Sequence, residues 1–108
     1  MGTKVYTAFM RVISRALLRT FWESPAGREA EKSLRVWLEE AKRESWAGPH
    51  DVKAQYPKAS ILKNGRVVFN INGNKFRLVA AIRYDKGIIF TRFIGTHAQY
   101  DRFDAQEV

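Results

Sequence analysis

Asn72-Gly73 stands between two runs rich in β-branched and aromatic residues, Arg66 to Ile71 and Lys75 to Tyr84. A two-residue hairpin loop needs both of its residues to accept positive φ, and Asn-Gly is the pair that does so most readily. With these two as the loop, Ile71 pairs with Asn74, Phe69 with Phe76 and Val67 with Leu78. Because side chains alternate with period 2, that face continues through Ala80, Ile82 and Tyr84 and forms the core. The opposite face then carries Val68, Asn70, Lys75, Arg77, Val79, Ala81 and Arg83, a basic floor, and a slip of one residue would bury three cations.

A second turn follows at Asp85-Lys86-Gly87 and leads into a return strand from Ile88 to Gly95. A three-residue loop there sends Arg92 into the core beside Ile88 and Phe90, which is costly for an unpaired guanidinium. The two-residue reading, Lys86-Gly87, is preferred. It puts Arg92 on the basic face with Arg77 and Arg83, turns Ile89 and Phe93 inward, and leaves Phe90 on the basic side.

Upstream, Met10-Arg11-Val12-Ile13 reads as a short strand, and residues 1–9 read as an N-terminal extension to a single domain over 10–108. Val5, Tyr6 and Phe9 leave a continuation of the strand open for that extension. Ser14 is placed to cap a helix to about Glu23, with Leu17, Leu18, Phe21 and Trp22 on one side. Ser24-Pro25 opens a second helix, on which Ala30, Leu34, Trp37, Leu38 and Ala41 form an apolar stripe. From Ser45 to Pro57 the signals are those of a loop with a single helical turn at Val52 to Gln55. Ser60 to Leu62 reads as an edge strand, and Lys63-Asn64-Gly65 as another Asn-Gly turn. Thr96 caps a short last helix. The expected architecture is α+β in two layers: an N-terminal strand and a helix pair packed on the apolar face of an antiparallel sheet whose basic face stays open.

One domain is what 108 residues allow, and the chain has no cysteine and only two histidines. A disulfide framework, a thiolate metal site and a histidine-rich site are therefore excluded. No apolar run approaches the roughly 20 residues of a membrane span, and the opening residues lack a signal-peptide core, so a cytoplasmic protein is expected. The net charge of +8 is densest in residues 60–103, where eight Lys/Arg face two Asp/Glu. A polyanionic partner, nucleic acid first, is what such a face implies.

The segments Phe69 to Val79 and Thr96-His97-Ala98-Gln99-Tyr100-Asp101, with the opening Met10 to Ile13, resemble the HigB family of bacterial type II toxins, small proteins of the RelE-like fold. The family pattern falls on Asn70, Gly73, Asn74, Arg77, Arg92, His97, Tyr100 and Asp101. The resemblance implies a RelE-like two-layer fold and an endoribonuclease, an mRNA interferase, that cuts messenger RNA on the translating ribosome without metal or other cofactor. It also implies a helix-turn-helix antitoxin, HigA-like, that neutralises the toxin and binds operator DNA with it. Two rival classes are a toxin-fold protein that poisons a protein target such as a topoisomerase, and a non-catalytic RNA-binding module.

Metal-free RNA cleavage needs in-line positioning of the 2′-hydroxyl, cations for the crowded phosphorane, and proton transfer at both ends. Arg77 and Arg92 have the planar fork that matches phosphate oxygens. His97 is the proton-transfer candidate, since imidazole is the side chain that ordinarily titrates near neutrality. Tyr100 and Asp101, at i+3 and i+4 from it, share its helix face. Tyr100 is open to two readings, a base-stacking or phosphate-holding residue and a core aromatic that anchors the last helix; Asp101 is placed to orient the imidazole. The catalytic candidates are thus His97, Tyr100, Arg77 and Arg92, and the RNA-binding candidates Asn70, Asn74, Lys75 and Arg83. His50 reads as an ordinary surface histidine. For Asn70 and Asn74 a role in bonding the turn's backbone is equally open.

Overall fold

The computed structural model of the chain describes residues 9–103, 105 and 108. The elements are β1 (Arg11–Ile13), α1 (Arg15–Trp22), a 3₁₀ turn (Arg28–Ala30), α2 (Glu31–Lys42), α3 (Pro49–Gln55), β2 (Ser60–Ile61), β3 (Arg66–Ile71), β4 (Phe76–Arg83), β5 (Ile88–Thr96) and α4 (His97–Asp101). The five strands form one sheet in the order β1-β5-β4-β3-β2, antiparallel except for the parallel pair β1 and β5. This is the α+β architecture expected from the sequence. The expected extension and strand continuation lie outside the described residues except for Phe9, which is exposed.

The helical layer is held by one ring. Phe69 is buried and makes edge contacts with Trp37 of α2 at 5.3 Å and with Tyr56 at 5.1 Å, and it stacks on Trp46 at 6.2 Å. Phe21 of α1 meets Phe76 edge-on at 5.6 Å. Leu18, Trp22, Leu34 and Ala41 complete the helical side, against Val67, Leu78, Ala80, Ile82 and Ile89 from the strands.

The helix starts differ from expectation. Ser14 takes a left-handed conformation, φ 72°, and its side chain makes no cap bond. It serves as the corner between β1 and α1. Ser24 turns back instead of opening α2: its hydroxyl donates to the Phe21 carbonyl at 2.6 Å and accepts from the Gly27 amide at 3.2 Å. The second helix begins only at Glu31, after the 3₁₀ turn. Pro49, suited to a first helical turn because it needs no amide partner, starts α3, which is longer than the single turn expected.

Both central hairpins are shifted by two residues from the expected register. Ile71 pairs with Phe76, Phe69 with Leu78 and Val67 with Ala80. The loop is four residues, 72–75, closed by the Lys75 amide donating to the Asn72 carbonyl at 3.3 Å. Asn72 and Gly73 do take positive φ, 55° and 68°. The longer loop matches Ile71 with an apolar partner and leaves Asn74 and Lys75 exposed. A shift of two conserves every facing, so the core face is the one expected. At the next turn Arg83 pairs with Ile88, and again four residues, 84–87, form the loop.

A bulge overturns the rest of the β5 reading. Ala80 pairs with Thr91 but Val79 pairs with Phe93, so Arg92 is an extra residue in the ladder. Past it the alternation inverts: Ile94 enters the core and Phe93 goes to the opposite face, contrary to the expected inward Phe93. The basic face is consequently not open along its length. Val68 and Val79 are buried there under Phe93, Tyr100, Phe103, Ala105 and Val108. The Arg66 guanidinium binds the Val108 carbonyl through both Nε, at 2.9 Å, and Nη2. The apolar strip down the middle of that face required a cover, and the chain's own C-terminal segment supplies it.

Phe69→Ala is expected to cost about 3–5 kcal/mol, because three aromatic contacts and the ring's whole volume are lost from a site with no room to collapse. Urea unfolding of both proteins measures it.

Candidate functional site

What the C-terminal segment leaves uncovered is the end of the sheet nearest the 72–75 loop. Asn70, Arg77 and Gly95 lie side by side there on β3, β4 and β5, each the register partner of the next. Gly95 is buried, and a Cβ on it would stand 2.7 Å from both Gln99 Oε1 and Phe93 Cζ. The absence of a side chain is what lets α4 close over the end of β5. A capping box fixes the first turn of α4: the Thr96 hydroxyl accepts from the Gln99 amide at 3.2 Å, and the Gln99 side-chain oxygen accepts from the Thr96 amide at 2.8 Å. The expected role of Thr96 as cap is thereby met.

His97, the first residue of α4, is exposed and sits against Arg77. Arg77 Nη2 is 2.8 Å from His97 Nε2, and Arg77 Nη1 donates to the Asn74 carbonyl at 3.5 Å. On the far side of the ring, Nδ1 lies 3.6 Å from Asp101 Oδ2. A guanidinium has donors only, so this contact requires Nε2 to carry a lone pair and puts the imidazole proton on Nδ1, facing Asp101. The row Arg77, His97, Asp101 therefore has a direction: a cation donates to the ring, and the ring presents its proton to a carboxylate.

Tyr100 is half-buried, its ring 6.4 Å from that of Phe93. Its hydroxyl makes no hydrogen bond among the described residues. Asn70 stands on the outer face and its amide nitrogen is 3.5 Å from the Lys58 carbonyl. Asn74 is held at the loop by the Arg77 contact to its carbonyl, which leaves its side chain exposed.

The other three sequence candidates lie apart. Lys75 is paired with Glu29 at 3.4 Å, towards the helical layer. Arg92 is the bulge residue, exposed, with its guanidinium 5.3 Å from the centre of the Phe90 ring. Arg83 is six residues along β4 from Arg77, about 20 Å at strand spacing. It holds Asp85 with two bonds, Nε at 3.2 Å and Nη2 at 3.1 Å. That guanidinium keeps the Asp85 carboxyl below its ordinary range. Among the described residues no three His, Cys, Asp or Glu gather as a metal site, and no helix is long and apolar enough to cross a membrane.

Sequence reasoning passed over Lys58, which adjoins Asn70 from the connection between α3 and β2. Its only signal was the neighbouring Tyr56-Pro57, which marks a loop but not where the loop lies.

The direction of the Arg77–His97 hydrogen bond can be measured. Long-range ¹H–¹⁵N spectra of the neutral ring are expected to show the proton on Nδ1, and Arg77→Ala to shift the population towards the Nε2–H form. An Nε2–H ring in the unsubstituted protein would remove the Arg77 contact.

Residues 30–103 match the family model HigB_toxin, described as the RelE-like toxic component of a toxin-antitoxin system. The chain is also 34% identical over 59 residues to the mRNA interferase toxin HigB of Escherichia coli K12. Identity is the same to proteins named mRNA interferase HigB from Escherichia coli O157:H7 and Shigella flexneri. Each of these matches covers 53% of this chain and 57% of the relative, so the chain spans a little over half the length of the curated relatives it matches.

Proposed function

This chain belongs to the HigB toxin family, the RelE-like toxic component of a toxin-antitoxin system, and from that premise we propose that it is an endoribonuclease toxin that cleaves messenger RNA without metal. The observation that carries the reading is the Arg77–His97 contact at 2.8 Å on the uncovered end of the sheet, with Asp101 behind the ring. A module that only bound RNA needs the cations but has no use for an oriented imidazole.

In this reading the incoming phosphodiester draws the Arg77 fork away from His97, because a phosphate offers the guanidinium two charged acceptors where the ring offers one neutral one. The Nε2 lone pair is then free to take the proton of the 2′-hydroxyl. The 2′-oxygen attacks the adjacent phosphorus, and Arg77 stabilises the charge that gathers on the phosphorane. The bond to the 5′-oxygen breaks with its electron pair going to that oxygen, which takes a proton from the Tyr100 hydroxyl or from water. The products are a 2′,3′-cyclic phosphate and a 5′-hydroxyl. Asp101 holds the Nδ1 proton and steadies the imidazolium formed in the first step. Asn70 and Asn74 border the same surface, and Arg92 adds to the field that attracts the strand, whereas Lys75 and Arg83, already paired with Glu29 and Asp85, add less.

The further assignments are cleavage on the translating ribosome, a cytoplasmic setting, and neutralisation by a helix-turn-helix antitoxin that binds operator DNA with the toxin. They rest on the family and on the names of its relatives.

His97→Ala is expected to abolish growth arrest and message cleavage while leaving the melting temperature near that of the parent, since the side chain is exposed. Arg77→Ala should lower cleavage by about 10²- to 10³-fold, the range seen when an oxyanion donor is removed. Tyr100→Phe separates the two proton sources, a small effect assigning the leaving-group proton to water. Induction in a host without antitoxin, with RNA ends mapped, is the measurement. A soluble His97→Ala protein that still cuts message defeats the assignment, and arrest by the parent without new RNA ends favours a protein target instead.

A further inference from the structure

A groove of about 660 Å³ opens beside Arg77, between the connection from α3 to β2 and the 72–75 loop. Its volume lies within the range of about 300–1,000 Å³ usual for small-ligand sites. Tyr56, Pro57 and Ala59 give it apolar walls, Asn70 and Asn74 give it side-chain amides, and Lys58 on the rim is the charged residue among its lining. It contains no carboxylate. Gln55 also lines it, but the Gln55 side-chain oxygen already accepts from Trp46 Nε1 at 3.0 Å.

We propose that this groove binds the nucleotide of a single-stranded RNA next to the cleaved linkage, with Asn70 meeting the base edge and Lys58 the neighbouring phosphate. The inference rests on the function proposed above and adds to it the place where the strand is read. Three observations support it.

The first is adjacency. Asn70 is the register partner of Arg77, and the Asn74 carbonyl accepts from the Arg77 guanidinium at 3.5 Å, so a strand whose phosphate sits on Arg77 has its next nucleotide over this groove. The second is the state of the polar groups. Asn70 is half-buried, and its recorded bond is a long one, 3.5 Å to the Lys58 carbonyl. An amide so weakly held can turn to offer both a donor and an acceptor to a base edge, as Asn does in bidentate base contacts. The third is the wall. The Tyr56 hydroxyl is committed to Glu40 at 2.5 Å, and burial followed by that bond keeps the phenol neutral well past its ordinary range. What it turns to the groove is therefore ring, and with Pro57 it offers the flat apolar surface on which unstacked bases rest.

A peptide of the antitoxin is the other occupant of comparable size. The groove favours RNA over it because its lining is uncharged but for one cation, and because two of its lining residues, Asn70 and Asn74, adjoin the guanidinium that would hold the phosphate.

The test uses the full chain and a short single-stranded oligoribonucleotide with 2′-O-methyl sugars, which binds but cannot be cut. The expected result is a shift of the Asn70 side-chain amide resonances and of Gly73 on titration. Lys58→Glu should weaken binding and flatten the dependence of log K on log salt by about 0.7, the value of one single-strand phosphate contact. Asn70→Ser should reduce the preference among bases at one position, by about five- to a hundredfold if a full base-edge pair is lost. Lys58 is exposed, so its variant keeps the proposal testable should Asn70→Ser fold poorly.

If both variants bind with unchanged affinity, salt slope and base preference, the groove is not the subsite. If RNA binding is unchanged but a co-expressed antitoxin no longer forms a complex, the occupant is protein and the proposal falls. Binding in the groove by a protein that cuts no RNA would sustain the subsite and overturn the nuclease reading, so the two fail separately.

Discussion

The extra residue at Arg92 is the constraint on which the functional end of the molecule depends. Without it, β5 would continue with Ile89, Thr91, Phe93 and Gly95 on the core face, and Ile94 would point away from the helices. The bulge inverts the alternation once, so that Ile94 joins the core and Phe93 and Gly95 turn outward. Phe93 then becomes the seat for Tyr100 and Phe103, with the Phe103 ring stacked on it at 4.2 Å. Gly95 becomes the clearance through which α4 folds back. Position and orientation of His97 follow from those two facts. Apolar packing is what the arrangement serves: the bulge lets Ile94 enter the larger core and Phe93 the smaller one, while Arg92 stays exposed.

The two faces were legible from period-2 alternation, and so were the Thr96 cap and the grouping of Arg77 with His97 by family pattern. The register was not, because a two-residue shift of a hairpin moves no side chain to the other face and therefore leaves no trace in hydrophobic patterning. Only the pairing of Ile71 with Phe76 rather than Asn74 distinguishes the two, and that is a packing preference and not a pattern. Phe93 misled for a related reason. In Ile88-Ile89-Phe90-Thr91-Arg92-Phe93-Ile94, apolar residues fill both phases of the strand, and the phase break is visible only once a second apolar layer exists to receive Phe93. That layer comes from Phe103, Ala105 and Val108, short apolar marks in a polar tail that reads as surface when taken alone.

Charge is distributed less simply than the composition suggests. Arg83 is engaged by Asp85, Lys75 by Glu29 and Arg66 by the Val108 carbonyl, so three of the cations on or near the sheet's outer side are occupied within the chain. The first two pairs are exposed, screened by solvent, and add little to stability. They matter more for where the positive field is left. Arg77, whose partners are a neutral ring nitrogen and a backbone carbonyl, keeps its whole charge at the uncovered end. A phosphate approaching this side meets an uncompensated guanidinium there and, farther along β4, one that Asp85 compensates at Arg83.

The two readings of Tyr100 are not exclusive. A helix of five residues has no stability of its own, because the cost of its first turn is not recovered over so short a length. α4 holds because Thr96 and Gln99 satisfy its first turn and because the rings of Tyr100 and Phe103 rest on Phe93. The Tyr100 ring is thus an anchor. Its hydroxyl, however, makes no hydrogen bond among the described residues, and the residue belongs to the helix that carries His97. One short helix thus carries both a ring of the second apolar cluster and the His97 imidazole, so whatever loosens the cover over Val68 and Val79 also loosens the imidazole. The placing of His97 against Arg77 therefore depends on the smaller of the two apolar clusters as well as on the capping box.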